Sequence, residues 1–121
     1  MAHGRKTWYF PDGDCPPEGK GDLKGHESII ILNPNGQEAA VTVRLFFEPG
    51  RPPEQFETKV PAESVRCLRT NCSADMGGHV VPLETQYAIG LFSTFPVVAQ
   101  YGRLDNRQAN LAYYTTAGYS E

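Results

Sequence analysis

Long hydrophobic runs are missing from this 121-residue chain. No stretch approaches the ~20 apolar residues that carry a helix across a bilayer. The opening Met1-Ala2-His3-Gly4-Arg5-Lys6 lacks the apolar run of a secretory leader. Cysteine is scarce and odd in number. Cys15, Cys67 and Cys72 cannot close a disulfide framework among themselves, and no second close pair exists for a zinc site. Reduced thiols in a cytoplasmic protein are expected, with Cys67 buried on a strand. Positive charge is in deficit too: 11 Lys and Arg stand against 14 Asp and Glu, a net charge of -3. Phosphate contacts drive nucleic-acid affinity, so nucleic acid is disfavoured as a partner.

The standard catalytic signatures are also lacking. There is no Gly-x-Ser-x-Gly elbow, no P-loop, no Gly-x-Gly-x-x-Gly and no His-Glu-x-x-His. Cys72 with His79, or Cys15 with His26, pair only on paper, because nothing in their spacing selects them. The expectation is a binding protein with no catalytic residues, no resident metal and no cofactor.

What is present is punctuation. The 12 glycines and 10 prolines exclude long helices. Between them lie eight short runs rich in β-branched and aromatic residues: Thr7 to Phe10, Ser28 to Leu32, Ala40 to Phe47, Gln55 to Val60, Ser64 to Arg69, Tyr87 to Phe92, Val97 to Tyr101 and Leu111 to Thr116. Residues 1–121 read as a single all-β domain, an antiparallel β-sandwich of about eight short strands. With 40% hydrophobic residues and a mean hydropathy of -0.43, the core is modest and its aromatics carry much of it.

Val41, Val43, Leu45 and Phe47 alternate with Thr42 and Arg44, and Phe56, Thr58 and Val60 alternate after a Pro-Gly-rich turn. This predicts a hairpin. Ile29-Ile30-Ile31-Leu32 does not alternate. A strand apolar on both faces needs cover on both, so one face is assigned to the core and the other to a second copy of the chain. Residues 11 to 25 read as one long structureless loop. The stretch from Asp105 reads as a turn followed by a strand, since Tyr113-Tyr114-Thr115-Thr116 favours extended structure over helix.

Two polar clusters flank the apolar runs. His26 and Glu27 precede one buried run and Asn33-Pro34-Asn35-Gly36 follows it. Flanking polarity and a turn explain these residues; a pocket at the strand end, or a metal held by His26, Glu27 and Asp105, is the alternative. Arg103-Leu104-Asp105-Asn106-Arg107-Gln108 follows the run ending at Tyr101. Arginine and aspartate at this density suit recognition of hydroxyls or carboxylates, or else a structural network. Trp8, the only tryptophan, packs in the core or stacks on a sugar ring.

These residues resemble a known family. Trp8, Gly13 and Pro16-Pro17, then His26-Glu27 leading into Ile31-Leu32-Asn33, then Arg103-Leu104-Asp105-Asn106-Arg107-Gln108-Ala109, are similar in order and spacing to the sensory rhodopsin transducer family. The resemblance implies a cytoplasmic β-sandwich assembled as a homotetramer, with a non-enzymatic signalling role. A rhodopsin-like membrane receptor, a sugar-like small molecule and, more weakly, DNA are the partners it implies. It marks Trp8, His26, Glu27, Asn33, Arg103, Asp105, Arg107 and Gln108 as candidates for a ligand or partner site. Tyr113, Tyr114 and Tyr119 are candidates for a receptor-facing surface.

Overall fold

A computed structural model describes residues 3–108 and 110–121. Among them the chain forms β1 (Arg5–Asp14), β2 (His26–Asn33), β3 (Ala39–Phe47), β4 (Glu54–Val60), β5 (Ser64–Arg69), β6 (Gln86–Asp105), β7 (Ala112–Thr116) and β8 (Tyr119–Ser120). The strand pairings between these elements are antiparallel and fall into two sheets. One sheet runs β4-β3-β6-β1-β8 and the other is built from β5, β2, β6 and β7.

Strand β6 belongs to both. Its first half pairs with β3 and β1, from Tyr87 opposite Phe47 to Ser93 opposite Val41. Its second half pairs with β2, from Val98 opposite Leu32 to Leu104 opposite His26. The two runs expected over Tyr87 to Phe92 and Val97 to Tyr101 are therefore one 20-residue strand. Pro96 sits at the transfer between sheets, where its missing N–H leaves no ladder bond unmade. Side chains tie down the backbone at this bend. The Trp8 indole N–H bridges the Arg5 and Val97 carbonyls, both at 3.1 Å. Asn35 Nδ2 donates to the Pro96 carbonyl at 2.7 Å, and Thr94 Oγ1 accepts the Ala40 N–H at 3.0 Å.

The β3–β4 hairpin forms in the expected register, with Val43 opposite Phe56. Val41, Val43 and Leu45 from one sheet meet Ile29, Ile31 and Leu68 from the other in a common core, all at most 1% exposed. Full burial of each such aliphatic side chain contributes about 1.5–3 kcal/mol.

Three features differ from expectation. Strand β1 does not stop at Phe10; it runs on to Asp14 through a register shift between Phe10 and Gly13. A bulge there absorbs Pro11, which has no N–H to offer a ladder. Only the remainder of the expected loop is irregular, from Cys15 onward. Strand β8 was not expected: Thr7 and Glu121 exchange backbone hydrogen bonds of 3.1 and 3.0 Å beside it. Cys67 lies on β5 but is exposed, because edge-strand alternation turns Leu68 inward and Cys67 outward. Ile29-Ile30-Ile31-Leu32 presents one face to the core, as expected: Ile29 and Ile31 are fully buried, while Leu32 on the opposite face is 42% exposed.

Candidate functional site

The end of β6, strand β7 and the end of β1 enclose a charged groove. Three adjoining depressions of about 530, 250 and 230 Å³ lie along it: the first two share Asp105, Arg107 and Ala112, and the second and third share Tyr114. Register explains the convergence: Arg103 lies opposite Tyr114 and Asp105 opposite Ala112 across the β6–β7 ladder. Asp14, at the end of β1, enters from the neighbouring strand.

Arg103 is the central cation. Its guanidinium lies over the Tyr114 ring, 4.8 Å from the centroid, and donates to the Tyr114 hydroxyl. Nη1 donates to the Asp14 carbonyl at 3.0 Å, while the nearest carboxylate, Asp12, stands 3.8 Å away. With a side chain 17% exposed, Arg103 is held by Tyr114 and the Asp14 carbonyl and has only a long ion pair to the exposed Asp12. Arg107 is differently placed. It grips Asp105 through Nε at 3.0 Å and through Nη2, and reaches Glu84 with Nη1 at 2.8 Å. Hydrogen bonding from Arg107 holds the Asp105 carboxyl below its ordinary value, and the same contact raises Arg107. Burial raises the Tyr114 phenol against the lowering pull of Arg103.

Asn106, between the two arginines' partners, is 3% exposed and pins the preceding loop. Its Nδ2 donates to the carbonyls of Leu23 and Lys20. This amide ties residues 20 to 23 to the end of β6.

Beneath the groove lies Glu27, fully buried. Oε1 accepts Thr70 Oγ1 at 2.8 Å and the Tyr87 hydroxyl at 2.7 Å; Oε2 accepts the Asp14 N–H at 3.0 Å and the Tyr101 hydroxyl. Four donors suit a carboxylate, which offers about four acceptor positions. Burial raises both phenols, with the Glu27 charge adding to it. The adjoining Cys15 thiol is pushed up to about 11, mainly by burial, so it is a poor nucleophile at neutral pH.

The eight sequence candidates divide three ways. Arg103, Asp105, Arg107 and Gln108 line the groove, and Glu27 lies under it. His26 is next to Glu27 but points to the other face of β2, as strand alternation requires, and its Nδ1 meets the Lys24 carbonyl at 2.8 Å. His26, Glu27 and Asp105 therefore do not converge, and no cluster of three metal-ligating side chains occurs among the described residues. Trp8 is six residues from Asp14 on β1, and Asn33 six from Glu27 on β2, each roughly 20 Å away at ~3.3 Å per residue. Trp8 serves the β6 bend. Asn33 Nδ2 donates to the carbonyls of Gln37, Val60 and Pro61 at 2.8, 3.0 and 3.2 Å, and its Oδ1 accepts the Asn35 N–H at 3.0 Å. Ala109 is outside the described residues.

Sequence reasoning missed Asp14, Glu84, Thr70, Tyr87 and Tyr101 as neighbours of this site. For Tyr101 a signal existed, since it is two residues before Arg103 on the same strand face. For Thr70 and Asp14 none did.

The fold and groove define an antiparallel β-sandwich whose distinctive chemistry sits where one long strand ends against its neighbours. The chain belongs to the family described as Anabaena sensory rhodopsin transducer, whose sequence model matches residues 3–120. Two solved structures resemble it closely. The crystal structure of Thermotoga maritima 1070 superposes with a TM-score of 0.86 at 31% identity, covering 98% of this chain and 96% of that one. The Anabaena sensory rhodopsin transducer superposes with a TM-score of 0.73 at 31% identity, covering 90% of this chain and 96% of that one. Among curated proteins none matches. No helix among the described residues is long and apolar enough to cross a membrane.

Proposed function

We propose that this protein is a non-enzymatic cytoplasmic signalling component, one domain over residues 1–121, that senses a small polar, sugar-like ligand in the Arg103 groove. The observation that carries this reading is the Arg103 guanidinium, lying on Tyr114 with no carboxylate nearer than 3.8 Å. Asp14 and Asp105 line the same depression as Arg103, and Gln108 and Asn110 line the adjoining one, so hydrogen-bonding groups flank it. Concave sites that combine an aromatic wall with a few placed polar groups are typical of small-ligand recognition. The sugar-binding face is Tyr114 and its neighbours, not Trp8, whose ring is only 7% exposed.

Assembly as a homotetramer fits the same picture. Val65, Leu32 and Val98 form one row across β5, β2 and β6, and are 62%, 42% and 41% exposed. A row of aliphatic side chains on an outer sheet face favours packing against another copy.

The test is a thermal-shift screen of the protein with neutral sugars and sugar acids, repeated on Arg103→Ala and Asp105→Ala. The reading predicts a sugar-dependent shift that both variants lose while staying folded and assembled. Variants that unfold or dissociate would instead make these residues structural.

A second reading is coupling to a membrane photoreceptor. It is favoured by likeness to a protein named for a sensory rhodopsin, and by Tyr113 and Tyr119, which are 70% and 63% exposed. Retention of the protein on membranes carrying the receptor, lost in Tyr113→Ala, is its expected signature. DNA binding stands behind both because of the net charge of -3.

A further inference from the structure

The buried Glu27 does not itself line the groove, yet two routes lead from it to Arg103. The first passes through one residue: Glu27 Oε2 accepts the Asp14 N–H at 3.0 Å, and the Asp14 carbonyl accepts Arg103 Nη1 at 3.0 Å. The backbone of Asp14 is thus held from below by Glu27, and in turn holds the guanidinium above. The second route passes through rings. Tyr101 donates to Oε2, its ring lies 6.1 Å from that of Tyr114, and Tyr114 carries Arg103 at 4.8 Å. The other carboxyl oxygen is anchored away from the groove, by Thr70 and by Tyr87 from the first half of β6.

Burying this carboxyl group is costly. Removal from water is offset here by four hydrogen bonds and by no cation at contact distance, where an apolar side chain of the same size would fill the core without that cost. Its return is geometric. We propose that Glu27 is the positioning residue of the groove, setting the place of Arg103 through the Asp14 backbone and the Tyr101–Tyr114 pair. Groove occupancy is thereby linked to both halves of β6, and so to both sheets. The link to occupancy rests on the groove being the ligand site; the placement of Arg103 does not.

The test reads Arg103 directly, by NMR of the arginine-labelled full chain, where a pinned guanidinium rotates slowly and shows separate Nη signals. Glu27→Met fills the space but offers Asp14 no acceptor. Glu27→Gln keeps one: the Thr70 and Tyr87 hydroxyls can turn to accept from the amide nitrogen, so its carbonyl can take the place of Oε2. Val60→Ala, at the far end of the core beside Asn33, serves as a destabilised control. The proposal predicts loss of the separate Arg103 signals in Glu27→Met and their retention in Glu27→Gln and Val60→Ala. Should Glu27→Met fail to fold, Tyr101→Phe removes only the second route and must broaden or merge those signals. Unchanged Arg103 signals in Glu27→Met, or equal loss in Val60→Ala, would overturn it; so would an unchanged Tyr101→Phe where Glu27→Met does not fold. A parallel thermal-shift assay with glucose and galacturonate keeps the two readings apart. Absence of any sugar response in the unaltered protein refutes the ligand site and leaves the NMR result to judge Glu27.

Discussion

Gly13 lies so close to Tyr87 that a Cβ at position 13 would stand 2.7 Å from Tyr87 Cε1 and 2.8 Å from Cζ. The two are register partners across β1 and β6, directly after the bulge in β1. The missing side chain lets the Tyr87 ring pass beneath β1 and bring its hydroxyl to Glu27. Gly13→Ala is therefore expected to force the ring aside and cost about 1–3 kcal/mol, as overpacking does. Gly36→Ala, where a Cβ meets nothing within 4 Å, is the control. Denaturant midpoints of the two variants check this; equal midpoints would refute it.

Trp8→Phe keeps an aromatic ring at the β6 bend but removes the side-chain donor shared by two carbonyls, those of Arg5 and Val97. Leaving a buried carbonyl without its partner costs about 1–3 kcal/mol. The loss is expected in urea denaturation. Because Trp8 lines none of the groove's depressions and lies six residues along β1 from Asp14, any sugar response of the protein should survive, which separates the bend from the site.

Acid should destabilise the fold through Glu54 and Asp105. Both carboxyls are held below their ordinary values of 4.5 and 3.8, Glu54 first by hydrogen bonding from Arg51 and then from His79, Asp105 by Arg107. A carboxyl depressed by folding contributes stability above its unfolded value, and that contribution is lost as pH falls through the folded one. Stability should thus hold from neutral pH to about 5 and decline below the ordinary carboxylate range. Glu54→Gln and Asp105→Asn should each flatten the acid limb slightly, since both groups are well solvated and screened by salt. Melting temperatures against pH, at low and high salt, measure this. An acid limb unchanged in both variants would show that other carboxyls set it.

Thiol labelling should separate Cys15 from Cys67. Cys15 is buried, its thiol lies near about 11, and Thr70 Oγ1 approaches its sulfur at 3.7 Å, so it should react only on unfolding. Cys67 is exposed on the outer face of β5, opposite Ile30 and beside the Val65–Leu32 row. If that row is the contact between copies, Cys67 is protected in the assembled protein and freed on dilution. Mass spectrometry of labelled peptides at two protein concentrations reads both. Equal labelling of Cys67 at concentrations that change the assembly would remove this face from the interface.

Much of this architecture was legible locally. All eight expected runs fall on observed strands, two of them on β6, because strand alternation and Gly-Pro punctuation are properties of consecutive residues. Ser64–Arg69 matches end to end, and the Asn33-Pro34-Asn35-Gly36 turn closes on the Asn33 side chain. The errors also have local causes. Pro11 looked like a stop because the partner strand that accommodates a bulge is about 75 residues further on. Pro96 broke one strand into two in the sequence, although the two ladders it separates belong to different sheets.

From the sequence by itself came the all-β class, the hairpin of β3 and β4, and the charged stretch Arg103 to Gln108, whose members are neighbours in the chain and stay neighbours in the groove. Tertiary structure alone decided that Glu27 would gather Asp14, Thr70, Tyr87 and Tyr101, that His26 would turn away from it, and that Trp8 and Asn33 would serve the frame. The reason is physical. Alternation and turn chemistry act over a few residues, whereas a buried carboxyl group takes its hydrogen-bond donors from wherever the packing of two sheets happens to bring them.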